Sequence, residues 1–561
     1  MDRRVANMYK GKTKYIKDII PTTLLFAFMM FVFAPFEIYL SNKGYFFFPG
    51  WDMLGISCIL FVCSFIMITV VLFVLSVLCQ KVYNFIFGCF FGGTIALYLQ
   101  GNWDTTDYGA WNGSEIDWSL CRLQLLNFLM VFILLIIGFA LFSLIRYESF
   151  SKISGRISLF LLAVLVVTLS VLCITKGGLS KDKEYICTTE EELALSSNEN
   201  MLVLVLDAFD SSAFKSLIEG KEGELYKKEF EDFTYYPDAV TAYSSTDMSL
   251  PQIITGKGYK NEKRFGEFLD EAYEESELMN WLDENGWEKD IYTDALMPQG
   301  NGGQGIDNCK LLERAASNRK ELMYYMYTMV AFRYTPQPIK NHFYFYADNI
   351  KGNLNKVIGD YEAYGGNDIR FYHKIDELNS IKDKGVFQLI HIEGAHEPFT
   401  VSSDCTEVAE SSYEEECVAS LKISSKLIEK LKKEGIYDNS IIIILADHGY
   451  SNGRQNPLLM IKGRDEKHSF AISEKELSYY DLQNAYIELL DKHLSSEELF
   501  GESVNVLRGR LYCSVPFNTH LNFDTFGGEM REFACKGKAW DQSTLVATGN
   551  VYEEKEIVTI K

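Results

Sequence analysis

Five apolar runs in the first third of the chain decide what it can fold into: about Thr22–Leu40, Met53–Leu78, Tyr83–Leu99, Leu123–Ile145 and Ile157–Ile174. Each approaches the roughly 20 residues that a helix needs to cross the hydrocarbon core of a bilayer. The third is the weakest, being short and holding Gly88, Gly92 and Gly93. The first is too long for the apolar region of a secretory signal, and four more runs follow it. Basic residues gather in alternate loops. Arg3, Arg4, Lys10, Lys12, Lys14 and Lys17 precede the first run, Lys81 follows the second, and Arg146, Lys152 and Arg156 follow the fourth. The other two loops hold Lys43 in one and Asp104, Asp107, Glu115 and Asp117 in the other. The positive-inside rule then places the N-terminus in the cytoplasm and, after an odd number of spans, residues 177–561 outside. Trp51, Trp103, Trp111 and Trp118 lie in or beside the outer loops, where interfacial aromatics belong.

The remainder is a different kind of polypeptide. Residues 1–176 carry a net charge of +4, whereas 177–561 carry −26. The acidic part is long enough for a full hydrophobic core. Its charge excludes nucleic acid as a partner, because a phosphate-binding protein presents a basic face. With 48% hydrophobic and 14% aromatic residues overall, the chain is not of disordered composition. After a polar connector over 177–200, buried-strand runs at Met201–Leu206, Lys289–Tyr292, Val386–Ile392 and Ser440–Ala446 alternate with helical patterns. The helices are expected over Phe265–Asn285, Asn318–Phe332, Ser412–Glu434 and Tyr479–Leu490. Such alternation predicts an α/β domain with a mostly parallel sheet over 201–507. Short β-type runs and Gly pairs over 508–561 suggest a small antiparallel β appendage. No internal repeat or low-complexity segment interrupts this plan.

In open α/β sheets, ligands sit at the carboxyl ends of the strands. Three expected strands run straight into polar clusters: Asp207-Ala208-Phe209-Asp210, His391-Ile392-Glu393-Gly394-Ala395-His396-Glu397-Pro398, and Asp447-His448-Gly449. Between the first two lies Thr241-Ala242-Tyr243-Ser244-Ser245-Thr246-Asp247-Met248-Ser249-Leu250-Pro251. Any one of these motifs is weak, since a strand-terminal Asp is often a helix cap and Asp-His-Gly can be a solvated turn.

Together, in this order and behind five spans, they resemble the alkaline-phosphatase/sulfatase superfamily. In particular they resemble its membrane-anchored five-span lipid-head-group transferases, the lipoteichoic acid synthases and phosphoethanolamine transferases. The resemblance implies an α-helical five-span membrane domain (1–176) followed by a sulfatase-like α/β domain. It implies that Asp207, Asp447 and His448 bind one divalent metal, Mn²⁺ or Zn²⁺, together with Thr246. Carboxylate and imidazole donors suit either ion. Thr246, five residues before Pro251, is the implied nucleophile, although Ser244, Ser245 and Ser249 stand close by. His396 and His391 are implied beside the phosphoryl group, His396 as general acid/base; imidazole has the pKa for that work. His391 is equally readable as structural. Asp210 and Asp247 are expected as supporting carboxylates, and His342, His373, His468, His493 and His520 as structural residues.

Two departures qualify the resemblance. The Cys/Ser-x-Pro-x-Arg motif from which sulfatases form formylglycine is absent, which argues against sulfate-ester hydrolysis. Where phosphoethanolamine transferases carry a further His, this chain reads Asn452-Gly453-Arg454-Gln455-Asn456-Pro457. Arg454, with its planar fork, and Asn456 are the candidate substrate-binding residues, and both phosphoglycerol and phosphoethanolamine stay open as donor groups. The implied activity transfers a phospholipid-derived head group through a phospho-threonine onto an envelope polysaccharide, teichoic or glycolipid acceptor. The expected setting is a bacterial plasma membrane, with a monomeric chain. A phosphatase or phosphodiesterase on the same site, or a non-catalytic lipid-sensing relative, are the alternatives. Finally, six cysteines lie after residue 176, and an even number in an exported domain suggests disulfides. Cys405–Cys417 and Cys513–Cys535 are the expected pairs, with Cys187 and Cys309 unassigned.

Overall fold

A computed structural model describes residues 3–43, 46, 48–103, 122–180, 185–293, 305–311, 313–316, 318–343, 355–358, 361–450, 454–501, 509–515 and 528–553. The chain divides into two compact units, Met1–Asp182 with Glu313–Ile358, and Lys183–Leu312 with Gly359–Lys561.

The first unit is helical and multi-pass. Helices over Tyr15–Ser41, Trp51–Leu78, Gln80–Trp103 and Tyr147–Thr175 are long and apolar enough to cross a membrane. A fifth helix, Arg122–Ile145, completes the set expected from the sequence. The first of them passes through a π turn at Met29–Phe33 just before Pro35, where a proline removes a backbone donor. The glycines that weaken the third run have a packing role. A Cβ on Gly88 would stand 2.7 Å from the Ala140 Cα, and one on Gly92 2.8 Å from the Ile136 Cα. Small residues four apart let two membrane helices approach backbone to backbone.

Residues Glu313–Ile358, which lie within the 201–507 segment read as one α/β domain, cluster with this helical unit instead. Their helix, Arg319–Tyr334, is held to the membrane helices by specific polar contacts. Arg333 pairs with Glu37 and donates from Nε to the Gly101 carbonyl at 2.7 Å. Asp52 accepts a hydrogen bond from the Ala316 N–H at 2.9 Å. The segment was read as part of the sheet domain because helical periodicity reports an apolar face without naming what covers it.

The second unit is built on a seven-stranded sheet. In sheet order its strands are Ala471–Ile472, Thr234–Tyr235, Leu459–Lys462, Ser440–Leu445, Asn200–Leu206, Val386–Ile392 and Glu288–Tyr292. The last four of these run parallel, and the three centre strands are buried along their whole length. Burial on both faces explains why they read as continuous Val/Ile/Leu runs rather than as alternation. Two expected helices are broken in detail. Phe265–Asn285 is two helices, Phe265–Glu274 and Glu277–Glu284, because the Ser276 hydroxyl caps the second by accepting from the Met279 N–H. Tyr479–Leu490 opens as a 3-10 turn under a capping box formed by Ser478 and Asp481. The appendage is a three-stranded antiparallel sheet of Arg510–Ser514, Met530–Cys535 and Leu545–Tyr552.

The expected disulfide pairs are not the ones the fold brings together. On the appendage, Cys513 stands opposite Glu532 and Cys535 opposite Arg510, so three register positions separate the two thiols. At about 3.4 Å per residue that is near 10 Å, beyond the Cα separation a disulfide spans. Cys405 sets its Sγ 3.6 Å from the Ala419 carbonyl, while the Cys417 thiol is turned to the Tyr413 hydroxyl.

Candidate metal and phosphoryl-transfer site

Three of the expected ligands stand at the carboxyl ends of adjacent parallel strands. Asp207 follows Asn200–Leu206, while Asp447 and His448 follow Ser440–Leu445. One ligand atom from each of Asp207, Asp447 and His448 falls within 4.8 Å of the others, and all three residues are buried. The Ala208 N–H donates to Asp447 Oδ1 at 3.3 Å, tying the two strand ends together. Asp207 Oδ1 and Asp447 Oδ2 are buried with no hydrogen-bond partner among the described residues, an arrangement that costs free energy unless a cation completes it. His448 turns Nδ1 to the Gly449 carbonyl at 2.8 Å, which leaves Nε2 facing the carboxylates, 3.5 Å from Asp447 Oδ2 and 3.7 Å from Asp207 Oδ1. An imidazole whose far nitrogen is fixed by a carbonyl is oriented as a ligand. The donor set fits a divalent metal.

Charge regulation points the same way. Burial raises the Asp207 carboxyl, but the His391 hydrogen bond and the charges of His448, His391 and His396 outweigh it and hold it well below the usual range. Asp447 goes the other way, raised by burial and by the neighbouring Asp207 charge. Two close carboxylates titrate apart in this way because the charge on one opposes ionisation of the other.

The hydroxyl-rich loop sorts itself out by geometry. Thr246 opens the helix Thr246–Thr255. Its Oγ1 lies 3.3 Å from Asp207 Oδ2 and 3.3 Å from His448 Nε2. Ser244 Oγ instead accepts from the Val515 N–H, and Ser249 Oγ donates to the Tyr243 carbonyl. Ser245 is the N-cap residue, without a side-chain capping bond. A helix N-terminus behind Thr246 favours negative charge on its oxygen or on a bound phosphoryl group.

His391 joins the cluster, with Nε2 3.5 Å from Asp207 Oδ2. Thr293 Oγ1 lies 3.1 Å from its Nδ1, and the Tyr364 hydroxyl donates to its backbone carbonyl. His396 does not touch the carboxylates; it is exposed on the following loop, with Nδ1 2.6 Å from the Glu397 carbonyl. Arg454 is half-buried and donates to the Ser244 carbonyl at 3.3 Å, beside the hydroxyl-rich loop. Asn456 is a strut: buried, it donates both amide hydrogens to the Pro237 and Ala239 carbonyls at 2.9 Å. Asp210 sits near the cluster without joining it. It accepts from the Tyr450 N–H, and burial pushes its carboxyl up to about 6. Asn452, Gly453 and His520 lie outside the described residues.

Sequence reasoning missed Gly394. Its φ is +63°, and a Cβ there would stand 2.5 Å from the Asp207 backbone nitrogen. Its N–H donates to Asp368, which is itself buried. Only glycine permits both the conformation and the approach. A Gly between the two histidines was the available signal.

Residues 199–472 match the family model described as Sulfatase. That stretch is a sulfatase-family domain. Solved structures with a related fold include the lipooligosaccharide phosphoethanolamine transferase A (EptA) of Neisseria meningitidis. It is 14% identical over 84% of this chain and 95% of that one, with a TM-score of 0.32. Another is the lipoteichoic acid synthase LtaP of Listeria monocytogenes, 15% identical over 66% and 91%, with a TM-score of 0.32. A third is an alkaline phosphatase superfamily protein from Vibrio parahaemolyticus, 13% identical over 65% and 80%, with a TM-score of 0.35. No curated protein matches the chain. Within the sulfatase-family domain, buried Asp207, His391, Asp447 and His448 and half-buried Thr246 form one cluster.

Proposed function

We propose that this membrane protein is a metal-dependent phosphotransferase that takes a phospho head group from a membrane phospholipid. The observation that carries this reading is the Thr246 hydroxyl, poised between Asp207 Oδ2 and His448 Nε2 at a helix N-terminus. An alcohol in that position, rather than a formylglycine precursor, suits attack on phosphorus. The apolar helices supply the second half of the argument, since an anchored enzyme meets a lipid donor at high effective concentration.

Asp207, Asp447 and His448, with Thr246, are the residues that would hold the metal, Mn²⁺ or Zn²⁺. Bound there, a divalent ion lowers the pKa of the hydroxyl and offsets charge on a phosphoryl oxygen. Asp207 accepts the Thr246 hydroxyl hydrogen bond and orients the oxygen towards phosphorus. The Thr246 O–P bond forms as the bond from phosphorus to the diacylglycerol oxygen breaks; the Thr246 hydroxyl gives up its proton to solvent, and the leaving oxygen takes one from His396. His396, whose Nδ1 is engaged by Glu397, exchanges protons at Nε2. Arg454 steadies a phosphoryl oxygen. A hydroxyl of an envelope glycan, teichoic or glycolipid acceptor then attacks the phospho-threonine and frees Thr246. The N-terminus is cytoplasmic and the sulfatase-family domain lies outside, where such acceptors occur.

The test is purified protein in vesicles of labelled phosphatidylglycerol or phosphatidylethanolamine. Wild type should release diacylglycerol, Thr246→Ala should not, and Ser245→Ala should stay close to wild type. Phosphate chemistry on the Thr246 peptide after an acid quench, with retention at a chirally labelled phosphorus, marks two displacements. Inversion, or near-normal turnover by Thr246→Ala, would overturn the covalent route. Transfer of the group to water alone would make the protein a hydrolase.

A further inference from the structure

We infer that Cys187 and Cys309 form a cross-strand disulfide that staples the point where the chain enters, leaves and re-enters its sulfatase-family unit. The two thiols stand 3.6 Å apart, Sγ to Sγ, on the short antiparallel strands Tyr185–Cys187 and Cys309–Leu311. They are direct partners in register. The Thr188 N–H donates to the Asn308 carbonyl at 3.1 Å, so Thr188 and Asn308 are the hydrogen-bonded pair and the cysteines the adjacent, non-hydrogen-bonded one. Side chains approach most closely at such positions.

The surroundings hold this register. Asn308 donates from its side chain to the Thr188 carbonyl at 3.0 Å and to the Ile291 carbonyl at 2.8 Å. Cys187 is buried and Cys309 half-buried.

The location gives the pair its purpose. The chain passes between the two compact units at three places: after Asp182, after Leu312 and after Ile358. The first two crossings are flanked by the paired cysteine strands. The third returns beside them, where Tyr364 N–H donates to the Cys187 carbonyl at 2.9 Å and Thr189 N–H to the Glu362 carbonyl at 3.0 Å. One covalent bond here joins the segments beside the first two crossings, and the segment after the third is hydrogen-bonded to them. The bond also closes a loop of about 120 residues containing Asp207 and Thr246, and long loops gain most from closure. Oxidation removes one hydrogen from each thiol and joins the sulfurs. The two electrons and two protons pass to a disulfide-bearing oxidant, which leaves as its dithiol. In cells this oxidation rests on the exported orientation proposed above; in the purified chain it does not.

The experiment is a non-reduced peptide map of the full-length protein in detergent, after equilibration with glutathione disulfide. Peptides containing Cys187 and Cys309 should appear linked and separate on reduction, while Cys405, Cys417, Cys513 and Cys535 alkylate as thiols once unfolded. The unfolding midpoint should fall by roughly 4–8 °C on reduction. Cys187→Ser, Cys309→Ser and the double variant should all lose the same increment and no longer respond to reductant. Both cysteines alkylated in the oxidised protein, or either linked to another cysteine, would overturn the assignment. Protease access to intact spheroplasts tests orientation separately. A protected domain in a chain that still links in glutathione would reject export and leave the pair standing.

Discussion

The strand-end cluster and the loop that follows His391 lie at the carboxyl ends of adjacent parallel strands, yet they are held very differently. Asp207 and Asp447 follow strands buried over their full length, and the Ala208 N–H donates to the Asp447 side chain. The His396 side chain is exposed, with Nδ1 on the neighbouring Glu397 carbonyl, while its backbone N–H donates to the Glu393 carbonyl. Rigid neighbours keep the carboxylates together although their repulsion and desolvation oppose it. In the mechanism proposed above, metal binding falls to the strand ends and proton movement to the exposed loop.

The largest effect should come from breaking the strand side. Asp447→Ala removes a ligand and a buried charge. Because merely disturbing residues behind a ligand costs roughly 10–100-fold, turnover should fall by at least about a thousandfold and bound metal should vanish. Elemental analysis of the purified protein, expected to give one equivalent for wild type, checks it. Two equivalents in the wild type, or activity without metal, would show that the ligand set is wrong.

The loop side should behave otherwise. His396→Gln should keep the full metal content but lose about a hundredfold in kcat, as expected for removal of a general acid or base, with one limb of the pH–rate profile flattened. Loss of metal in this variant would erase the distinction between the two regions.

Gly394 is where the loop meets the strand, and it gives the smallest effect of the three. Gly394→Ala forces a Cβ against the Asp207 backbone at a positive φ. Metal affinity should drop about tenfold, with the αL conformation itself costing about 1–2 kcal/mol. Metal titration and calorimetry measure the two parts, and an unchanged affinity would show that Asp207 is not positioned through this contact.

Legible in the sequence alone were the apolar membrane helices, the buried parallel strands, the β appendage and the strand-end positions of Asp207, Asp447 and His448. These are legible because each rests on a local pattern: apolar length, uninterrupted β-branched runs, or a polar cluster directly after a strand. Side-chain partners across the fold were decided only by tertiary structure. Nothing local distinguishes Thr246 from Ser244 and Ser249, whose hydroxyls are turned to Val515 and Tyr243. Asn456 is indistinguishable in sequence from a substrate contact until its amide is seen on Pro237 and Ala239. The same limit governs the cysteines. Closeness in sequence favoured Cys405 with Cys417, whereas strand register, set by contacts more than a hundred residues apart, brought Cys187 to Cys309. Register and burial are properties of surfaces that meet, and a linear pattern describes one surface at a time.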